Sequence, residues 1–157
     1  MVVESHAPPL RLVLLRVAGQ TYALHLGAVD RVLRMVAITP LPGAPDAVEG
    51  VINIQGEVLA IVSIRRRLGL PQRSVAAADS LVVAHAGMRR IAIIAESVLG
   101  VAECGADAVV GCDDIGRGIR HIEGVVKTGD GLVLIQDLER FFSAEEEQSL
   151  DLALAGA

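Results

Sequence analysis

The chain has 157 residues, a net charge of -5 at neutral pH, and a hydrophobic fraction of 52%. This length suits one domain, or two small subdomains that share a core. The acidic balance argues against nucleic acid as a partner, and a chain with no Trp, one Tyr and two Phe lacks the aromatic platforms that stack on single strands.

The apolar runs are too short to cross a membrane. LRLVLLRVAG is interrupted by Arg11 and Arg16, and VLAIVSI ends after seven residues, whereas a spanning helix needs about 20. The N-terminal segment contains an acid and lacks a basic region followed by an apolar core, so it is unlike a secretory signal. We therefore expect a cytoplasmic protein without direct membrane insertion, with a tail over residues 1–8.

The first predicted elements are two strands and a helix. Residues 10–18 and the segment QTYALHL are predicted strands, separated by a turn at Gly19-Gln20. The apolar residues of GAVDRVLRMV then lie at helical spacing: Val29, Val32, Leu33 and Val36. This spacing predicts a short amphipathic helix. The Pro-rich segment ITPLPGAPDAVEG that follows is predicted to be mostly loop.

GVINI and EVLAIVSI are predicted to form a hairpin with its tip at Gln55-Gly56. The second strand is almost wholly apolar, which predicts burial on both of its faces. IRRRLGL is a predicted short helix, with Ser63 as its N-cap and Gly69 at its C-terminal end.

Further strands are predicted at SLVVAHA, RRIAIIA, IEGVVKT and GLVLIQDL, and ESVLGVA is a helix-like or extended piece. A Gly-rich connection covers residues 105–120. A last helix follows Ser143, which forms a capping box with Glu146. We expect four apolar side chains to pack the last helix down: Phe141, Phe142, Leu150 and Leu154.

The two halves of the chain resemble each other. A shift of 74 residues places Glu49-Gly50-Val51 on Glu123-Gly124-Val125 and Ser63 on Asp137 without a gap. The comparison predicts two similar halves. It also predicts that Ser63 and Asp137 both cap short helix-like segments.

The sequence contains no convincing catalytic or metal-binding constellation. Cys104 and Cys112 lack the paired spacing and the further ligands of a zinc site, so they read as two ordinary thiols. Asp113 and Asp114 read as an acidic surface loop rather than a cation site. Two interpretations remain open at this point: a small binding module, or an enzyme whose site is invisible in one sequence.

Four segments, taken in order, resemble the CheW-like domain family. GVINIQGEVLAIVSIRRRLGL is similar to the family pattern GVINLRG followed by a strand and a short Arg-containing helix, and PLPGAPDAVEG matches the loop before it. GMRRIAIIAESVLGV and IEGVVKTGDGLVLIQDLERFF resemble the second-half strand pairs of the family. The resemblance runs from about residue 9 to residue 143.

The resemblance implies an all-β fold of two five-stranded, SH3-like β-barrel subdomains with short helices and a C-terminal helix. The expected domain covers residues 9–143, with one half near 20–75 and the other near 10–18 plus 79–142, and the helix or tail covers 144–157. It implies no catalysis, no metal and no cofactor.

Members of the family with this domain alone are adaptors that couple chemoreceptors, the methyl-accepting chemotaxis proteins, to a CheA-like histidine kinase. The implied partners are the regulatory domain of the kinase and the cytoplasmic hairpin tip of the receptor. Two alternatives are a scaffold of the same fold that engages no kinase, and a barrel that senses a small molecule. The resemblance places the contacts of the partner groove on nine residues: Leu26, Val29, Arg31, Val32, Gln55, Gly56, Ile91, Ile93 and Val98.

Two of these positions depart from the family pattern. Arg31 stands where the family often has Glu, and Gln55 where it usually has Arg. One interpretation is altered partner choice, as in a variant system for pilus motility or surface sensing, because rim charges select partners. The other is drift, with both side chains merely solvated.

Overall fold

The computed structural model describes residues 8–111, 121–129 and 131–156. Within these ranges the chain forms two antiparallel-rich sheets and two α-helices. The first sheet comprises β1 (Leu10–Val17), β2 (Gln20–His25), β8 (Ser97–Cys104), β9 (Val109–Gly111), β10 (Ile122–Thr128) and β11 (Gly131–Gln136). The second comprises β3 (Val29–Arg34), β4 (Val48–Ile54), β5 (Glu57–Ser63), β6 (Ser80–Ala86) and β7 (Arg89–Ala95). The helices are α1 (Ile64–Arg67) and α2 (Ala144–Ala155).

The two sheets confirm the predicted all-β class. The strand order is β8-β1-β2-β11-β10-β9 in the first and β3-β6-β7-β5-β4 in the second, so the three-residue β9 is additional to the five strands expected. The pairing also corrects the predicted halves: β2 lies beside β1, while β6 and β7 lie between β3 and β5. The chain therefore leaves the first sheet after β2 and returns to it at β8.

The internal repeat is visible as one shared plan. In each sheet, one strand of a hairpin pairs in parallel with one strand of an antiparallel pair. In the second sheet β5 of the β4–β5 hairpin pairs with β7, and in the first β11 of the β10–β11 hairpin pairs with β2. The hairpins β4–β5 and β10–β11 both shift register immediately before the glycine of their Glu-Gly-Val sequence. Beside this glycine an added strand pairs with the hairpin. In the first sheet the added strand is β9, and in the second it is reduced to a single bridge between Thr39 and Val51.

Close backbone contacts explain why both repeats carry glycine there. A Cβ atom on Gly50 would lie 2.4 Å from the carbonyl oxygen of Thr39, and one on Gly124 would lie 2.6 Å from Cγ1 of Val109. Any side chain at either position would push the added strand away from the hairpin.

The central strands of each sheet are buried on both faces, which explains the long apolar runs. The largest core lies between the sheets and includes Leu15 and Leu24 from the first and Val62 and Ile93 from the second. Two smaller cores fill the opposite faces. Ile61, Leu81 and neighbouring residues form one inside the second sheet, and Ile135 with its neighbours forms the other inside the first.

The predicted helix over residues 27–36 is wrong. The structure has a single 3-10 turn at Leu26–Ala28, followed by strand β3. A bulge between Val29 and Arg31 adds one residue to the strand, so that Val29 pairs with Ala84 while Val32 pairs with Val82. Two valines three residues apart thus share a face, and the bulged strand imitates helical spacing.

The predicted caps are mostly present. The Ser63 hydroxyl accepts a hydrogen bond from the backbone N–H of Arg66 at 3.3 Å, and Ser143 and Glu146 form the reciprocal capping box of α2. The carboxylate of Asp137 accepts from the N–H of Arg140 at 3.2 Å, but this segment is a turn and not a helix. ESVLGVA is extended, since it forms most of β8.

Candidate protein-binding surface

One end of the second sheet carries most of the residues that the sequence placed in the partner groove. The 3-10 turn directs the chain into β3, where Leu26 and Val29 are half-buried against the core between the sheets. Arg31 and Val32 follow on this outer strand and are exposed, Val32 by 45% of its surface. Strand β3 pairs only with β6 among the described residues, so its outer edge faces outward.

The tip of the β4–β5 hairpin lies at the same end of the sheet. Gln55 and Gly56 both have left-handed backbone conformations, with φ values of 52° and 89°, and both are exposed. The N–H of Gly56 donates to Oδ1 of Asn53 at 2.8 Å, which fixes the turn. The predicted hairpin tip is therefore confirmed, and Gln55 adopts a conformation that non-glycine residues use rarely.

A row of four charged or titratable side chains crosses this end of the sheet: Asp30, His85, Arg90 and Glu57. The carboxylate of Asp30 lies 3.3 Å from Nε2 of His85 and accepts from Nε of Arg90 at 2.8 Å, and Arg90 also binds Glu57. The hydrogen bond that Arg90 donates to Glu57, together with the one that it donates to Asp30, raises the pKa of Arg90 above its ordinary value. We call these four residues the charged row.

The charged row joins the two parts of the candidate surface. Arg90 lies on β7 in the middle of the sheet, Asp30 lies beside Arg31 on one outer strand, and Glu57 is two residues after Gln55. Alternation along the strands puts Arg90 on the face of Ala92 and Glu57 on the face of Leu59, both of them in the interior core of this sheet. The row thus closes the end of that apolar interior.

The structure does not support two of the predicted contacts. Ile91 and Ile93 have no exposed surface and belong to the core between the sheets, so no partner can contact them here. Both lie on β7, the central strand of the second sheet, where both faces are covered. Val98, on β8 of the first sheet, is half-buried at the border of the same core and remains accessible.

Sequence reasoning missed the residues of the charged row and two exposed valines. Arg90 belongs to the predicted strand RRIAIIA, and nothing in that segment indicated contacts with residues 33 and 60 positions away. A shallow groove beside the hairpin is lined in part by Val36 and Val58, which are exposed by 42% and 53%. Val58 on β5 was read as part of a fully buried strand.

Ion pairs attach the C-terminal helix α2 to α1 and to the start of β7. Glu146 receives two hydrogen bonds from Arg67 at 2.8 and 3.1 Å, and Arg89 binds Glu147 and Asp151. The Arg67 guanidinium lies over the Phe141 ring at 5.1 Å. The predicted packing is confirmed: Phe141, Phe142 and Leu150 are buried, and Leu154 lies against the same core.

The described residues contain no cluster of three or more His, Cys, Asp or Glu that suits a metal ion. Cys112, Asp113 and Asp114, and the N-terminal tail over residues 1–7, lie outside the described residues. Within the described ranges, no helix combines the length and the apolar character needed to cross a membrane.

Comparison with known proteins gives one consistent family. The model of the CheW-like domain matches residues 11–146. A chemotaxis protein CheW of Treponema pallidum is 24% identical over 146 residues, covering 89% of this chain and 86% of the relative. A chemotaxis protein CheW of Rhizobium meliloti is 26% identical over 140 residues, covering 88% and 90%.

The fold is also that of a solved structure. The scaffolding protein TtCheW from Thermoanaerobacter tengcongensis superposes with a TM-score of 0.79 at 22% identity, over 88% of this chain and 96% of that one. This likeness confirms two SH3-like subdomains as the architecture. With the match of the domain model over most of the sequence, it follows that the chain belongs to the CheW-like domain family.

Proposed function

We propose that this protein is a non-catalytic adaptor that couples chemoreceptors to a CheA-like histidine kinase. The family, the relatives named chemotaxis protein CheW and the solved relative titled a scaffolding protein all support this role. The proposed site of action is the cytoplasm, beside membrane-bound receptor arrays.

The observation that carries the proposal is the contrast between filled interiors and an exposed mixed surface. The interior of the second sheet is filled by Ile52, Leu59, Ile61 and Leu81, each at most 3% exposed. Small barrels of this kind leave no lumen for a ligand, which weighs against the small-molecule sensor. The outer strand β3 and the β4–β5 tip instead present aliphatic and charged side chains together, as protein-binding surfaces do.

The proposed partners are the regulatory domain of the kinase and the hairpin tip of the receptor. The proposed contacts are the accessible members of the set predicted from the sequence: Leu26, Val29, Arg31, Val32, Gln55, Gly56 and Val98. Contacts at this position combine burial of aliphatic side chains with a charged rim.

Titration calorimetry against the isolated regulatory domain of a CheA-like kinase from the same genome tests the proposal. We expect a dissociation constant on the order of 1 μM, or about -8 kcal/mol. Val32→Asp should weaken binding at least tenfold, because it places a charge in the apolar part of the contact. Leu132→Asp is the matched control, since Leu132 is 52% exposed but lies on β11 of the first sheet.

Two results would change the assignment. If the two substitutions have equal effects, the contact lies elsewhere on the chain. If the wild-type protein binds neither kinase domain nor receptor fragment, the scaffold that engages no kinase becomes the better description, because a shared fold does not guarantee a shared function.

A further inference from the structure

The outer strand β3 carries two positive charges without counter-charges. Arg31 and Arg34 are exposed, and within the described ranges neither side chain has an ion pair. Most other arginines of the described chain are paired with acids, among them Arg11, Arg65, Arg66, Arg67, Arg73, Arg89 and Arg90. We call Arg31, Val32 and Arg34 the basic edge.

The acid nearest to the basic edge in sequence is already engaged. Asp30 is bound by Arg90 at 2.8 Å and lies 3.3 Å from His85, so its negative charge is compensated within the charged row and not by Arg31. The other end of the row, Glu57, is bound by the same guanidinium. The charge of Arg31 is therefore left uncompensated, although the whole chain has a net charge of -5.

We infer that the basic edge selects a protein partner that presents carboxylates to the outer edge of β3, together with an aliphatic side chain on the face that Val32 shares with Arg34. The inference rests on the proposed adaptor function and names the chemistry of its partner surface. Val32 is 45% exposed and shares a face with Arg34, because these residues pair with Val82 and Ser80, whereas Arg31 pairs with Val83 and points to the opposite face. Val32 therefore supplies the apolar part of the contact. An unpaired guanidinium on an exposed strand gives up less hydration than an ammonium and forms bidentate pairs with carboxylates.

A different role for the same residues must be distinguished. Charged side chains on an outer strand also prevent edge-to-edge association of sheets, and for that purpose either sign of charge serves. Partner selection instead requires positive charge. Substitutions that reverse the sign therefore separate the two roles, because Arg31→Glu keeps a charge on the edge while removing attraction to an acidic partner.

The experiment measures association and dissociation rates for two probes, the kinase regulatory domain and a receptor cytoplasmic hairpin fragment. At about 0.1 M salt, Arg31→Glu and Arg34→Glu should each lower the association rate for at least one probe about tenfold, with little change in dissociation. The difference should vanish near 1 M salt, where screening acts within about 3 Å. Arg31→Lys should retain most of the wild-type rate.

Arg140→Glu is the matched control, since Arg140 is exposed, is not in an ion pair among the described residues and lies outside the second sheet. Arg140→Glu makes the same change in net charge as Arg31→Glu, but away from the proposed contact. The association rates should therefore stay within about twofold of the wild-type values. Wild-type rates for both Arg31→Glu and Arg34→Glu would overturn the inference and leave the adaptor function standing. A wild-type protein that binds neither probe would overturn both.

Discussion

At the scale of single residues, glycine and a bulged aspartate shape the second sheet. Gly50 lets the segment around Thr39 approach β4, and the extra residue Asp30 in β3 turns its carboxylate toward Arg90. The sequence comparison already indicated that Gly50 matters, because the same glycine recurs as Gly124. It did not indicate Arg90, since the partners of an ion pair have no fixed separation along the chain.

The first prediction concerns the close contact at Gly50. Gly50→Ala should lower the free energy of unfolding by about 1–3 kcal/mol, because the added Cβ would meet a backbone oxygen that cannot move without shifting its strand. Gly124→Ala should cost less, since its nearest neighbour is a side-chain methyl group. Urea unfolding of the purified variants gives both values.

Gly27→Ala provides the control, because a Cβ at Gly27 would have no atom within 4 Å and its backbone is not left-handed. We expect a change within about 0.5 kcal/mol there. A loss of stability at Gly27 equal to that at Gly50 would show that a general effect of replacing glycine by alanine, and not the contact with Thr39, accounts for the result.

At the scale of elements, α2 is held by its cap and by ion pairs as well as by a narrow apolar face. Only Leu150 of the helix is fully buried, while Glu146 and Glu147 bind arginines of α1 and β7. Although burial raises the pKa of the Glu146 carboxyl, hydrogen bonds from Arg67 and from the Ser143 backbone outweigh it and lower the pKa below its ordinary value.

The capping box predicts a measurable contribution from Ser143. Ser143→Ala removes the acceptor for the N–H of Glu146, which lies 3.1 Å from the hydroxyl oxygen, and should destabilise the protein by about 1 kcal/mol. Ser149→Ala, on the exposed side of the same helix, should be neutral or slightly stabilising because alanine favours helix. Equal changes in the two variants would remove the cap as the explanation.

At the scale of the whole molecule, Glu96 joins the two sheets where the chain passes from β7 to β8. Its carboxylate accepts from the N–H of Ala18 at 2.9 Å, in the turn of the first sheet, and binds Arg65 of α1. Nε of Arg73 lies 3.5 Å from Oε1 of Glu96, and Arg73 is also bound to buried Asp79. These contacts hold the linker before β6 against the junction. The hydrogen bonds from Ala18 and Arg65 lower the pKa of Glu96 below its ordinary value of 4.5.

A carboxyl group whose pKa is lower in the folded state stabilises the fold above its unfolded pKa, and this contribution is lost as the pH falls through the folded value. We therefore expect the free energy of unfolding to decrease on acidification below about pH 4.5, the ordinary value. Glu96→Gln should remove part of this dependence and cost about 1–3 kcal/mol at pH 7, since it replaces hydrogen bonds to a charged acceptor.

Glu103→Gln serves as the control, because Glu103 and its partner Arg11 are both more than half exposed and such pairs contribute about 0–1 kcal/mol. Chemical unfolding between pH 3 and pH 7 gives both quantities. If the two variants show the same acid dependence, the contacts of Glu96 do not stabilise the junction between the sheets.

The sequence by itself determined the class of the fold, most strands, the two hairpins, the caps and the repeat. These features depend on local chemistry: alternating or continuous apolar runs, Gly-containing turns and residues that bond to nearby backbone. Ser63, Ser143 and the Gln55-Gly56 tip were predictable for this reason, and the ordered family motifs were sufficient to indicate the CheW-like domain.

Only the tertiary structure decided how the strands are shared between the sheets, that β3 is a bulged strand, and which apolar residues remain accessible. Ile91 and Val32 are similar side chains in similar sequence surroundings, but the first is covered on a central strand and the second is exposed on an outer one. The ion pairs of Arg90 likewise depend on long-range strand order. Pairing between distant segments sets these properties, and no local pattern encodes it.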